Sequence, residues 1–140
     1  MKALRHVLVG TDFSEASLAA LDAGRDLARA ANARLTLIHV YSPGVQALGA
    51  AGVAENMAIG HDVHEALGRL KDEITGVADV HVEMVADTMP AAVILDYAAA
   101  NGVDLIVLGA HGHGAARRFL LGSVADRVAR HACCSVLIAR

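Results

Sequence analysis

Five short runs of Val, Ile and Leu, alternating with longer stretches of helical or loop character, constrain this 140-residue chain more than any other feature. Strands separated by connections of this length cannot all pair as tight hairpins, whereas a parallel pair requires a crossover of a dozen or more residues. Successive crossovers in one sheet are right-handed and place helices against its faces. The expected fold is therefore α/β: an open, mostly parallel five-stranded, Rossmann-like sheet with helices on both faces.

The first apolar run, residues 6–10, is followed by Ser14, a suitable N-cap for a helix reaching about residue 31. Within it Ala16, Ala20, Ala23, Leu27 and Ala30 recur at helical spacing and are expected to face the core. A second strand covers residues 34–40. It leads through Ser42-Pro43-Gly44 into a long Gly/Ala-rich connection, and helical spacing returns over about residues 55–74. The third strand, residues 80–85, alternates less completely and suits a sheet edge. Pro90 suits the first turn of a helix over residues 91–100, with Asn101-Gly102 as a left-handed C-cap. The nearly continuous apolar run at residues 103–108 reads as a central strand covered on both faces. A last helix, residues 123–132, precedes the final strand at residues 135–139.

Composition fits one core. At 140 residues, 55% hydrophobic but only 3% aromatic, the chain reads as a single domain spanning residues 1–140, with a core of Ala, Val, Leu and Ile. A formal charge of −3 argues against nucleic acid or an anionic membrane as partner, since both are normally met by concentrated Lys and Arg. The uncharged stretch at residues 35–54 has about the length of a membrane span, but His39, Ser42-Pro43-Gly44 and Gln46 interrupt it. With no secretory signal visible either, a cytoplasmic protein is expected. Cys133 and Cys134, adjacent on an extended segment, point to opposite faces and are expected as buried apolar thiols rather than a disulfide.

The fourth strand runs directly into Gly109-Ala110-His111-Gly112-His113-Gly114, and Gly122-Ser123 opens the last helix. Glycines let backbone N–H groups approach an anion, while a helix start offers unpaired donors and a favourable dipole. The natural guest is a phosphate chain. The same residues also suit a plain turn, with Ser123 capping the helix and Asp126 completing an S-x-x-D box; their types alone leave both readings open. No G-x-x-x-x-G-K-[ST] occurs, and the first strand ends in Gly10-Thr11-Asp12 rather than G-x-G-x-x-G. A mononucleotide fits better than a dinucleotide or a P-loop hydrolase substrate.

Gly109-x-x-Gly112, nine residues, then Gly122-Ser123 resembles the G-2x-G-9x-G-[S/T] pattern of the ATP-binding universal stress proteins. Similar to that family as well are Val7-Leu8-Val9-Gly10-Thr11-Asp12 with Ser14, Asp104-Leu105-Ile106-Val107-Leu108-Gly109, and Leu121-Gly122-Ser123-Val124-Ala125. The resemblance implies a sheet order of 3-2-1-4-5, an adenine nucleotide as ligand, and a homodimer paired through the last strand at residues 136–139. Carried over by position, Gly10, Thr11 and Asp12 would lie beside the adenosine, and Val40 would touch adenine. Leu108, Gly109 and Gly112 would line the ribose and phosphate path. Gly122, Ser123 and Val124 would hold phosphates. Ala110 stands where a hydroxyl residue is frequent, and Cys134-Ser135 replaces a common Cys-Pro or similar pair.

Other candidates are weaker. His61-x-x-His64 and His111-x-His113 lack further ligands at metal-site spacing, so no metal site is expected. His113, Arg117 or Arg118 could instead reach a phosphate, or could simply belong to a solvated turn. The reading that results is a stress-response protein that binds ATP, or AMP or ADP, as a nucleotide-dependent sensor or partner-binding module; Mg2+ is compatible with a bound triphosphate. Two alternatives stand beside it: a slow ATPase or nucleotide-transferring enzyme using Asp12 or a loop histidine, and a nucleotide-free dimeric scaffold.

Overall fold

A computed structural model describes residues 2–43, 50–112 and 120–140. Nine elements alternate along them: β1 (His6–Gly10), α1 (Glu15–Ala31), β2 (Arg34–Tyr41), α2 (Ala50–Glu73), β3 (Val80–Ala86), α3 (Pro90–Ala100), β4 (Leu105–Gly109), α4 (Ser123–His131) and β5 (Ser135–Ala139). The strands form one sheet in the order β3-β2-β1-β4-β5, and every neighbouring pair is parallel. This is the expected architecture, with β3 at one edge and β5 at the other.

Alternation along the strands divides the core into two layers. Val7, Val9, Leu35, Leu37 and Val107 face α1 and α2, where they meet Ala20, Leu21, Ala28 and Leu67. Leu8, Ile38, Ile106 and Leu108 point the other way, against Ile94 and Ala98 of α3 and Ala125 and Val128 of α4. The side-chain period of two thus becomes a sheet covered on both sides. Because β2 follows β1 on one side while β4 lies on the other, the winding reverses between β1 and β4. Their carboxyl ends diverge there into a crevice.

Helix ends follow local chemistry. Ser14 caps α1, accepting from the Ser17 amide. At the other end Asn32 takes a left-handed φ of 51°, and the Ala33 amide donates back to Ala28, a Schellman closure. The exit of α3 is built likewise, but the left-handed residue is Gly102 (φ 62°). Asn101 has φ −110°, so the expected two-residue left-handed cap reduces to its glycine.

Three further expectations are corrected. The buried stripe of α1 is Ser17, Ala20, Leu21, Gly24 and Ala28, while Leu27 and Ala30 are exposed. The face rotated because backbone proximity, not apolarity, selects it: a Cβ at Gly24 would stand 2.4 Å from Val9 Cγ2. Helix α2 begins at Ala50, five residues before the expected start, since Ala50, Ala51 and Ala54 are good helix formers that carry the helix without a core stripe. Cys133 and Cys134 are free thiols in the bend before β5, not on an extended strand; Cys133 is exposed and Cys134 half-buried. Burial pushes the Cys134 thiol above its ordinary pKa, leaving it a poor nucleophile.

Candidate functional site at the switch point

The loop after β1 is fixed by a connected set of hydrogen bonds. The Thr11 amide donates to Ile38 O at 2.9 Å, extending the β1–β2 ladder by one residue. Thr11 Oγ1 accepts from the Phe13 amide and pairs with Ser17 Oγ at 3.1 Å. Ser17 Oγ donates to Ser14 O, so the Thr11 hydroxyl is the donor between the two. Asp12 Oδ1 accepts from the Ser14 amide at 3.0 Å and from the Ser14 hydroxyl. The Asp12 carboxylate is thereby fastened to the N-terminus of α1, where the dipole favours negative charge.

Across the crevice, β4 ends in Gly109, and the Ala110 amide donates to Ala139 O of β5. The Gly122 amide then donates to Ala110 O at 2.7 Å, drawing the start of α4 against residues 110–112. Gly122, not Ser123, is the N-cap, and no side chain caps this helix. The S-x-x-D box does not form, and Asp126 Oδ1 and Oδ2 accept from Arg130 instead. The first intrahelical bond runs from the Asp126 amide to Gly122 O. Among the described residues, Ser123, Val124 and Ala125 therefore present first-turn N–H groups of α4 without an intrahelical partner.

These two walls enclose a cavity of about 820 Å3. Of the sequence-predicted residues, Gly10, Thr11 and Asp12 line it from the β1 side and Val40 from the end of β2. Leu108, Gly109 and Gly112 form the β4 wall, and Gly122, Ser123 and Val124 the α4 wall. His113, like Arg117 and Arg118, lies outside the described residues. Sequence reasoning missed Ile38, Pro90 and Ile94, which give the cavity an apolar side, and Leu120-Leu121 at its rim. Ile38 and Ile94 are core residues by pattern, and only tertiary packing shows that they also face a cavity. Among the described residues Asp12 is the one carboxylate on its wall.

The motif glycines do different work, and none of the three has a positive φ. A Cβ on Gly109 would stand 2.6 Å from the backbone carbon of Ala16, so this glycine lets α1 close on β4. At Gly112 the obstacle would be Asp12 Oδ2, at 2.7 Å. The absent side chain there leaves room for the carboxylate on the opposite wall.

A doubly wound parallel sheet with a cavity at its switch point, apolar on one side and bordered on another by the first turn of α4, is the architecture in which α/β proteins place small-ligand sites. The family model described as "Universal stress protein family" matches residues 3–140, and the chain belongs to that family. It is 34% identical over 142 residues to a universal stress protein of Methanocaldococcus jannaschii, covering 97% of this chain and 82% of that protein. Among solved structures it is similar to universal stress protein UspA from Lactobacillus plantarum, with a TM-score of 0.88, 27% identity and all of both chains covered. A universal stress protein crystallised in complex with cAMP is 33% identical, with a TM-score of 0.71 and 99% of each chain covered.

Proposed function

We propose that this protein binds an adenine nucleotide in the switch-point cavity, with ATP as principal ligand and AMP or ADP as competitors. In this reading it acts in the cytoplasm as a nucleotide-dependent sensor or partner-binding module of the stress response. The observation that carries the reading is the opposition, across one cavity, of the Asp12 carboxylate and the first-turn N–H groups of Ser123, Val124 and Ala125, which have no intrahelical partner among the described residues. A nucleotide carries sugar hydroxyls for the first and anionic oxygens for the second. Val40, Ile38 and Ile94 supply the apolar surface a purine requires, with Gly10 and Thr11 beside the adenosine. Leu108, Gly109 and Gly112 lie along the path from ribose to phosphate. Gly122 keeps the phosphate route clear, and the Ser123 hydroxyl adds a donor. The related protein crystallised with cAMP supports an adenine nucleotide as the ligand class.

The sequence has no P-loop lysine to clamp a β/γ-phosphate, which favours binding over rapid hydrolysis. Mg2+ would accompany the triphosphate. Among the described residues no strand pairs with the outer edge of β5, and in this reading two such edges pair to form a homodimer.

Isothermal titration with ATP, ADP, AMP and cAMP tests the ligand. Saturable heat with the wild type, abolished when Gly122 and Ser123 are replaced by bulkier residues in a still folded protein, is expected. Absence of heat with every nucleotide at millimolar concentration overturns the reading. Affinity that survives the double substitution overturns the phosphate assignment.

A further inference from the structure

One side chain outside the cavity wall touches the residues on both sides of Asp12. His39 lies on β2, on the α1/α2 face of the sheet beyond Leu35 and Leu37. Its Nδ1 stands 2.6 Å from Thr11 O. A carbonyl oxygen can only accept, so Nδ1 carries the proton and donates it. The same imidazole packs on the Phe13 ring, with centroids 4.7 Å apart and planes tilted by 51°. Tyr41 stacks at 6.5 Å on His39 in turn.

Phe13 is where the chain needs holding. Its φ is 64°, a left-handed conformation that a bulky L residue adopts at a cost on the order of 1–3 kcal/mol. Such a residue persists only where its surroundings over-determine it. Here they do so on either side of Asp12: the Thr11 backbone is tied to β2 through both its N–H and its C=O, and the Phe13 ring is pinned by the imidazole. The Asp12 carboxylate is left with its direction set, towards Gly112.

The geometry points to His39 as a positioning residue of the nucleotide site, one that presents Asp12 to the ligand without touching the ligand itself. The inference rests on the reading of Asp12 as a nucleotide contact. Its active part is the Nδ1–H donor, and the aromatic face is auxiliary. Asparagine carries an amide nitrogen on Cγ, where Nδ1 stands in histidine; phenylalanine keeps a ring and has no donor.

The test compares wild type, H39N, H39F, D12A and D12A/H39F by titration with ATP and by thermal melting. H39F is expected to lose at least tenfold in affinity, and H39N to stay within about threefold of wild type. On the D12A background H39F is expected to change affinity no further, because a residue acting through Asp12 has nothing left to position. A general packing role would lower the melting temperature of H39N and H39F together and add to D12A. Should H39F not fold, H39Q replaces it, its amide lying one carbon beyond the reach of Nδ1. Wild-type affinity in H39F or H39Q, or full additivity with D12A, overturns the positioning role. A wild type that binds no adenine nucleotide removes the functional reading beneath it, a result distinct from either.

Discussion

At the scale of single residues, the glycine pattern separates into parts with different physical duties. Gly109→Ala would drive a Cβ into the backbone of Ala16, which cannot move without shifting α1. The expected result is a loss of about 1–3 kcal/mol in unfolding free energy, with or without ligand. Among the described residues, Gly112→Ala meets the Asp12 carboxylate oxygen, a side-chain atom rather than backbone, and would push that carboxylate off its direction. A several-fold loss of nucleotide affinity at nearly unchanged stability is expected. Urea unfolding and calorimetry of the two variants check the contrast, and equal stability losses would refute it. The spacing of these glycines was legible in the sequence. Their division of labour was not, because each is defined by a neighbour distant in sequence: Ala16 for one, Asp12 for the other. His39 was equally hidden, since its partners Thr11 and Phe13 belong to another strand's loop.

At the scale of elements, two of the helices that border the cavity, α1 and α4, start in opposite ways. Helix α1 is capped by the Ser14 hydroxyl, which also donates to Asp12. Ser14→Ala should therefore cost about 1 kcal/mol of stability and weaken nucleotide binding as well. Helix α4 is capped by glycine with no side-chain bond, so Ser123→Ala should leave stability unchanged and weaken binding alone. Denaturation midpoints paired with ATP titrations distinguish the two, and a stability loss in the Ser123 variant would contradict the assignment of Gly122 as cap. Sequence pattern located all five strands, because Val, Ile and Leu runs of this length between turn residues have few alternatives. It misplaced the buried face of α1, where small residues, including Gly24, pack directly on the sheet and leave Leu27 on the outside. It also began α2 late, because the first turns of that helix lack a buried stripe by which periodicity could be recognised.

The whole molecule carries a pH dependence at the end of the sheet remote from the cavity. His6 is buried, donating from Nδ1 to Asn101 O and receiving the Thr36 hydroxyl proton at Nε2, 2.8 Å away. Burial lowers its pKa from the ordinary 6.5, the Asn101 carbonyl opposing that shift. The unfolded chain thus takes up the proton more readily than the folded one. His6 contributes its full stabilisation above pH 6.5 and loses it as the pH falls through the folded pKa. Asp104, held low chiefly by the Arg5 amide and also by the His6 amide and the Lys2 ammonium, adds an acid limb, present above 3.8 and lost below it as the carboxylate protonates. Urea midpoints should fall between about pH 7 and about pH 5 in the wild type and less so in His6→Gln. A flat wild-type profile over that interval would contradict the His6 account. For the proposed dimer, sedimentation equilibrium should give twice the 14.5 kDa chain mass, and a monomer would refute pairing through β5. Among the described residues no helix is long and apolar enough to cross a membrane. What the sequence determined by itself was the alternation of strands and helices and, through its glycine spacing, the family and the strand order that the family implies. Both are local or pairwise signals written in residue type and separation. Tertiary structure alone decided how the cavity is closed, which N–H groups of α4 border it and what holds Asp12 in place, because each depends on atoms brought together from strands and loops far apart along the chain.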